Sequence, residues 1–171
     1  MTLSTQSTPA GGELLMDSPT RQGSFVTAHE DLTITHARYA AGEHVAGRHI
    51  HRRHTDAFYV LEGELIFEIG PEAETITVSA GGFVAAPPGL AHAFRVAESG
   101  PARWLTIHAP DGGFAAFMRG LRDGIPVEWD IAPVPADGGR PADQVVSGRP
   151  PKPSDTRPGS SGTQGLFSPR A

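Results

Sequence analysis

Three histidines fall within six residues in the segment RHIHRRHTDAFYVLEGEL (48–65), and an aspartate follows just ahead of an apolar run. His49 and His51 are two positions apart. On a strand such a pair shares one face, whereas on a helix it does not, so a strand would aim both imidazoles at one point. Asp56 comes after a four-residue gap, and a short loop or bulge at 52–55 could return its carboxylate to the same place. A fourth candidate, His92, opens a strand just behind the Pro-Pro-Gly turn at 87–89. Two or three imidazoles with a carboxylate suit one divalent transition metal (Fe, Mn, Ni, Co or Zn), with positions left for water or substrate. The chain has no cysteine, which excludes thiolate ligands, cysteine nucleophiles and disulfides.

Stepping outward from these residues, the chain from about Glu13 to Pro110 reads as one short β-run after another: 24–30, 32–39, 44–51, 56–63, 64–70, 74–79, 81–89, 91–96 and 102–109. Glu62-Gly63 reads as a hairpin turn between two of them. Such spacing, punctuated by Gly and Pro, predicts an all-β sandwich or barrel. At 112–124 the period changes. Phe114, Phe117, Met118 and Leu121 form the stripe of an amphipathic helix, with Asp111 as N-cap and Gly124 as its stop. Beyond Asp130 the composition shifts, with eight of the sixteen prolines at 133–169. The expected organisation is a disordered N-terminus (1–12), a β-barrel with its closing helix (13–124), a surface-packed extension anchored by Trp129 and Ile131 (125–147), and a disordered Pro/Gly/Ser-rich tail (148–171).

The two histidine segments resemble the two motifs of the cupin superfamily. The first, G-x5-H-x-H-x3–4-E-x6-G, is matched by His49-Ile-His51, four residues, Asp56, six residues and Gly63. The second, G-x5-P-x-G-x2-H-x3-N, is matched by Gly81, Pro87, Gly89, His92 and Val96. The likeness covers about residues 13–123 and is greatest to small, single-domain, quercetin-dioxygenase-like cupins. It implies a jelly-roll barrel of six to eight strands with a metal between its sheets, His49, His51 and His92 as ligands, and Asp56 in the place of the glutamate ligand. Aspartate is one methylene shorter, which leaves three roles open for Asp56: ligand, ligand through water, or base. Gly42 stands one residue too far upstream for the first glycine, and Val96 replaces the asparagine. His54 reads as a loop residue facing solvent beside Arg52 and Arg53, with a place in the pocket, replacing or supplementing Asp56, as the alternative. His108 is a candidate proton donor or supporting group. His29, His36 and His44 have no motif around them.

Alternation puts Phe58 and Val60 on the face of Asp56, and Phe94 and Val96 on the face of His92. The expected pocket is therefore apolar, which favours an aromatic or enolisable small-molecule substrate. A dioxygenase-like reaction leads the alternatives; a non-redox isomerase, cyclase or lyase and a non-catalytic binding module are the others. A net charge of −5 with no basic run argues against nucleic acid. The N-terminus lacks a secretory pattern and no apolar stretch could span a bilayer, so a cytoplasmic protein without membrane contact is expected. The resemblance further implies a homodimer, with 24–39 and the helix as candidate contacts.

Overall fold

A computed structural model of the chain describes residues 12–140 and 146–148. The segments expected to be disordered, 1–12 and 148–171, lie outside the described residues apart from Gly12 and Gly148. The described chain is all-β with one helix. Its strands are β1 (Glu13–Asp17), β2 (Arg21–His29), β3 (Leu32–Tyr39), β4 (His44–His49), β5 (Thr55–Glu62), β6 (Glu64–Ile69), β7 (Glu74–Ser79), β8 (Phe83–Ala86), β9 (His92–Val96), β10 (Ala102–Ala109) and β11 (Val146–Gly148); α1 (Phe114–Asp123) follows β10. They form a seven-stranded sheet in the order β1-β2-β3-β10-β5-β8-β11 and a four-stranded sheet in the order β4-β9-β6-β7. No helix among the described residues is long and apolar enough to cross a membrane.

Period-two alternation decides which side chains enter the space between the sheets. In β6, Leu65, Phe67 and Ile69 are buried; in β10, Ala102, Trp104, Thr106 and His108 are buried. Phe58, Phe67, Phe94 and Trp104 meet at the centre, with ring centroids 4.6–5.9 Å apart. Val96, which replaces the motif's asparagine, is fully buried in this core and pairs with Leu65.

The Glu62-Gly63 turn is not a hairpin. Strands β5 and β6 belong to different sheets, and the turn carries the chain from one to the other. The corner requires glycine: Gly63 has φ 72°, and a Cβ there would lie 2.3 Å from the Pro101 carbonyl oxygen. Strands β2 and β3, candidates for a contact between barrels, each have a neighbour on both sides, so their edges are already paired.

The N-cap of α1 is Gly113, not Asp111. Asp111 still serves the helix start, because its carboxylate accepts hydrogen bonds from the backbone N–H groups of Gly113 and Ala115. Gly124 closes the helix in the left-handed conformation, as expected. The helix packs on Leu15 and Phe25 through Phe114 and Ala115. Leu121, the last residue of the expected stripe, is 60% exposed. Downstream, Trp129 stacks on Phe117 and lies tilted against Phe114, whereas Ile131 is 47% exposed. The second tie is Ala132, which exchanges two backbone hydrogen bonds with Ile50.

Two outcomes test this architecture. Gly63→Ala should destabilise the barrel by at least about 1–3 kcal/mol, the cost of a left-handed non-glycine residue, read by chemical denaturation. Glu13 accepts hydrogen bonds from Arg119 and Arg122, which hold its carboxyl down to about 2 from the ordinary 4.5. A depressed pKa contributes stability that is present above 4.5 and lost as pH falls through about 2. Glu13 is part-exposed, so Glu13→Gln should cost less than about 1 kcal/mol at pH 7, and thermal melts of the two proteins should converge across that acid window.

Candidate metal centre

Each sheet supplies one facing pair. His49, the last residue of β4, stands opposite His92, the first of β9. Asp56 near the start of β5 stands opposite His108 near the end of β10. His51 and His54 lie on the crossing segment 50–54, which carries the chain between the sheets. All five histidines and Asp56 are buried. The expected spacing logic holds at His49 and His51, which both turn inward, while Ile50 between them packs the other way against Ala91 and Ala132.

Backbone carbonyls orient three of the imidazoles. The Nδ1–H of His49 donates to the Gly47 oxygen at 2.7 Å, that of His51 to the Asp130 oxygen at 2.5 Å, and that of His92 to the Leu90 oxygen at 3.0 Å. A carbonyl can only accept, so each Nδ1 carries the proton and each Nε2 of a neutral ring is a bare lone pair. These Nε2 atoms converge. Those of His49 and His51 are 3.1 Å apart, and Asp56 Oδ2 lies 3.6 Å from His51 Nε2 and 3.4 Å from His92 Nε2. His92 Nε2 and Asp56 Oδ1 have no hydrogen-bond partner.

Two bare nitrogens at 3.1 Å repel each other unless a cation lies between them. Charge gives the same answer. Burial opposes the ionisation of Asp56, and the imidazoles around it, His108 first and then His51 and His92, draw the carboxyl below the usual range as far as they carry protons. The rings can supply positive charge only in part, because burial also pushes His49 and His108 down to about 4 and leaves them neutral at pH 7. A divalent cation would supply it in full. The donor set of imidazole nitrogens and one carboxylate fits a transition metal, and the carbonyl-bound Nδ1–H groups are the outer support such ligands use. The residues that could hold it are His49, His51, His92 and Asp56, whose ligand atoms all lie within 4.8 Å of one another.

Asp130 clamps the crossing segment. Its buried carboxylate accepts from the backbone N–H groups of Arg52 (3.2 Å) and Arg53 (2.7 Å) and from His54 Nδ1–H (2.9 Å). Burial works against its ionisation, and these three donors prevail and lower its pKa. His54, expected to face solvent, is 0% exposed for this reason. Its Nε2 lies 3.1 Å from His108 Nδ1, behind the cluster and not in the pocket. Gly112 permits the arrangement: it has φ 63°, and a Cβ there would stand 2.4 Å from His54 Nδ1.

A cavity of about 350 Å³ opens onto one side of the cluster, touching His49, Asp56 and His108. Its walls include Tyr39, Phe94, Trp104, Phe114, Phe117 and Met118. Of the expected pocket residues only Phe94 reaches it. Phe58 and Val60 share the face of Asp56 but lie deeper, fully buried in the barrel core. Arg21 stands at the cavity's far end, paired with Glu43 at 2.6 Å. Half-buried His36, which no motif marked, also lines that wall, whereas His29 and His44 do not. Sequence reasoning missed Asp130 entirely; its one visible cue was a carboxylate beside the anchoring Trp129.

Two sheets enclose inward imidazoles in a jelly-roll barrel whose donor set is compatible with a divalent metal. Residues 35–108, from β3 to β10, match the model of the cupin domain and hold all four candidate ligands of this centre. KdgF from Halomonas sp. is similar in fold, at 23% identity and a TM-score of 0.50 over 57% of this chain and 87% of that one. So is an RmlC-like cupin from Shewanella frigidimarina, at 17% identity and 0.52 over 62% and 92%. The cupin domain of Schizosaccharomyces pombe Cnp3 is similar at 16% identity and 0.50 over 68% and 78%. No curated protein matches the chain.

Removing a donor should empty the centre. After equilibrium dialysis against Zn²⁺ or Co²⁺ and elemental analysis, His49→Ala and His92→Ala should fall to background metal content. Asp130→Ala removes no ligand atom, yet loosening the His51 segment should weaken affinity roughly 10–100-fold, as loss of outer support does elsewhere.

Proposed function

We propose that this cupin is a metal-dependent enzyme acting on a small aromatic or enolisable substrate, with a dioxygenase-like reaction. One observation carries the reading: the buried imidazole–carboxylate cluster forms the floor of an otherwise apolar, aromatic cavity. When bound, a divalent transition metal there supplies Lewis acidity toward a substrate oxygen and, where it is redox-active, electrons for dioxygen chemistry.

The remaining work belongs to the chain. The aromatic walls bind and orient a flat apolar body, exclude bulk water and admit an apolar co-substrate such as dioxygen. The two oxygens of Asp56 divide the roles left open for it. Oδ2 faces the Nε2 atoms of His51 and His92 and serves as a ligand atom. Oδ1, buried and without a partner, faces His108 and takes the proton of a substrate hydroxyl. The shorter aspartate suffices on this reading because its Oδ2 already lies 3.6 and 3.4 Å from the His51 and His92 nitrogens.

The test is oxygen uptake by protein reconstituted separately with Fe²⁺, Mn²⁺, Ni²⁺, Co²⁺ and Zn²⁺, offered flavonols and other enolisable aromatics. Uptake with a redox-active metal and none with Zn²⁺ is expected. Conversion of the same compound without oxygen would replace this reading with a lyase or isomerase, and tight binding without turnover in either condition would replace it with a binding module.

A further inference from the structure

Behind the cluster runs a line of buried groups that ends on one of its own candidate ligands: Asp130, His54, His108 and Asp56. Asp130 Oδ2 lies 2.9 Å from His54 Nδ1, and His54 Nε2 lies 3.1 Å from His108 Nδ1. The protons on this line are fixed in sequence. The Asp130 carboxylate already accepts from two backbone N–H groups and can only accept from His54, so His54 carries its proton on Nδ1. Its Nε2 is then an acceptor, and the donor it faces is His108 Nδ1–H. His108 Nε2 is left bare. It is buried, has no partner, and lies 3.7 Å from Asp56 Oδ1, which is also buried and without a partner. Both residues line the cavity. The structure thus holds two unsatisfied acceptors side by side at the cavity floor, where an imidazole with its proton on Nε2 would have closed the gap by donating to Asp56.

We propose that Asp130 and His54 are positioning residues that hold His108 Nε2 bare, so that it and Asp56 Oδ1 together seat two adjacent hydrogen-bond donors of the substrate, as a catechol or an enediol presents. This rests on the reading of the cavity as the substrate site. A lone hydroxyl satisfies one acceptor and leaves the other buried and unpaired, whereas a vicinal pair satisfies both. A site built around two acceptors discriminates against analogues that lack one donor. On this proposal His108 accepts toward the cavity, where the sequence suggested a proton donor or a supporting group.

Two measurements on the full-length, Zn²⁺-loaded protein test the proposal. The first is long-range ¹H–¹⁵N correlation on histidine-labelled protein. His54 and His108 should both carry the proton on Nδ1; His108 with its proton on Nε2, or with Nε2 resonating as a metal-bound nitrogen, would overturn the idea without any variant. The second compares probes of equal aromatic body by absorbance titration. 4-Nitrocatechol should bind about tenfold or more tightly than 4-nitrophenol, the scale set by one buried acceptor gaining its donor. His54→Phe removes the acceptor for His108 Nδ1 while keeping the ring volume. In that variant the His108 proton should move to Nε2 and the preference for 4-nitrocatechol should fall below about threefold, with 4-nitrophenol binding and Zn²⁺ content retained. An unchanged preference would assign it to chelation of the metal and sink the proposal. Equal binding of both probes to the wild-type protein would sink it too while leaving the cavity reading in place, and failure of both probes to bind would remove the cavity reading itself.

Discussion

Lone pairs that point at each other with no proton between them are the constraint from which the rest of this structure follows. The carbonyls of Gly47, Leu90 and Asp130 take the Nδ1 protons of three imidazoles and so decide that the Nε2 atoms face inward unprotonated. In water such rings would turn to find donors. Inside the barrel they cannot turn, because the carbonyls that hold them belong to the paired backbone or to segments fastened to it. The cluster is therefore built in a state of electrostatic deficit, with an anionic carboxylate and several lone pairs around one point. A cation resolves that deficit better than protons do, since burial opposes protonation of His49 and of His108 beside it.

The deficit is tolerated only because two separate sheets share it. The β4–β9 pair brings His49 and His92, the β5–β10 pair brings Asp56 and His108, and the core of Phe58, Phe67, Phe94 and Trp104 sets the distance between them. The crossing segment 50–54 is the weak element, a short irregular stretch with two functional histidines and free backbone N–H groups. Its stability comes from outside the barrel motif. Asp130 satisfies the N–H groups of Arg52 and Arg53, its carbonyl holds His51, and the neighbouring Ala132 pairs with Ile50. One short stretch after the helix thus fixes both the loop and the ring it presents.

These contributions differ in how far the chain announces them. The strands were legible because alternation of apolar residues records the faces of a sheet, and the H-x-H spacing of 49 and 51 records a shared face directly. His92 was legible through its Pro-Gly turn. What failed to show were relations that depend on which sheet a strand joins. The Glu62-Gly63 corner has the residues of a hairpin, and only the crowding of Gly63 against Pro101 reveals that the chain changes sheets there. His54 beside two arginines looks solvated, because the carboxylate that buries it lies 76 residues away, a separation no local period encodes. Phe58 and Val60 share the face of Asp56, yet depth along the barrel, which alternation does not measure, puts them in the core and not on the cavity wall.

The same depth ordering gives the site a direction. His51, His54 and His92 do not touch the cavity, whereas His49, Asp56 and His108 do. On one side Trp129 packs across His51, His54 and His108, and Asp130 closes the back. On the other, β1 and α1 roof the opening with Leu15, Met16, Phe117 and Met118. The walls are mostly apolar, with Arg21, Thr35, His36 and Thr106 as the polar exceptions, and the acceptors of the cluster lie among them. A donor desolvated by the apolar walls and left without an acceptor carries the cost of that mismatch, so on this reading selection falls on the pattern of hydrogen-bond donors more than on overall polarity. The architecture that makes the centre hungry for a cation thus also makes it discriminating toward whatever arrives from the open side.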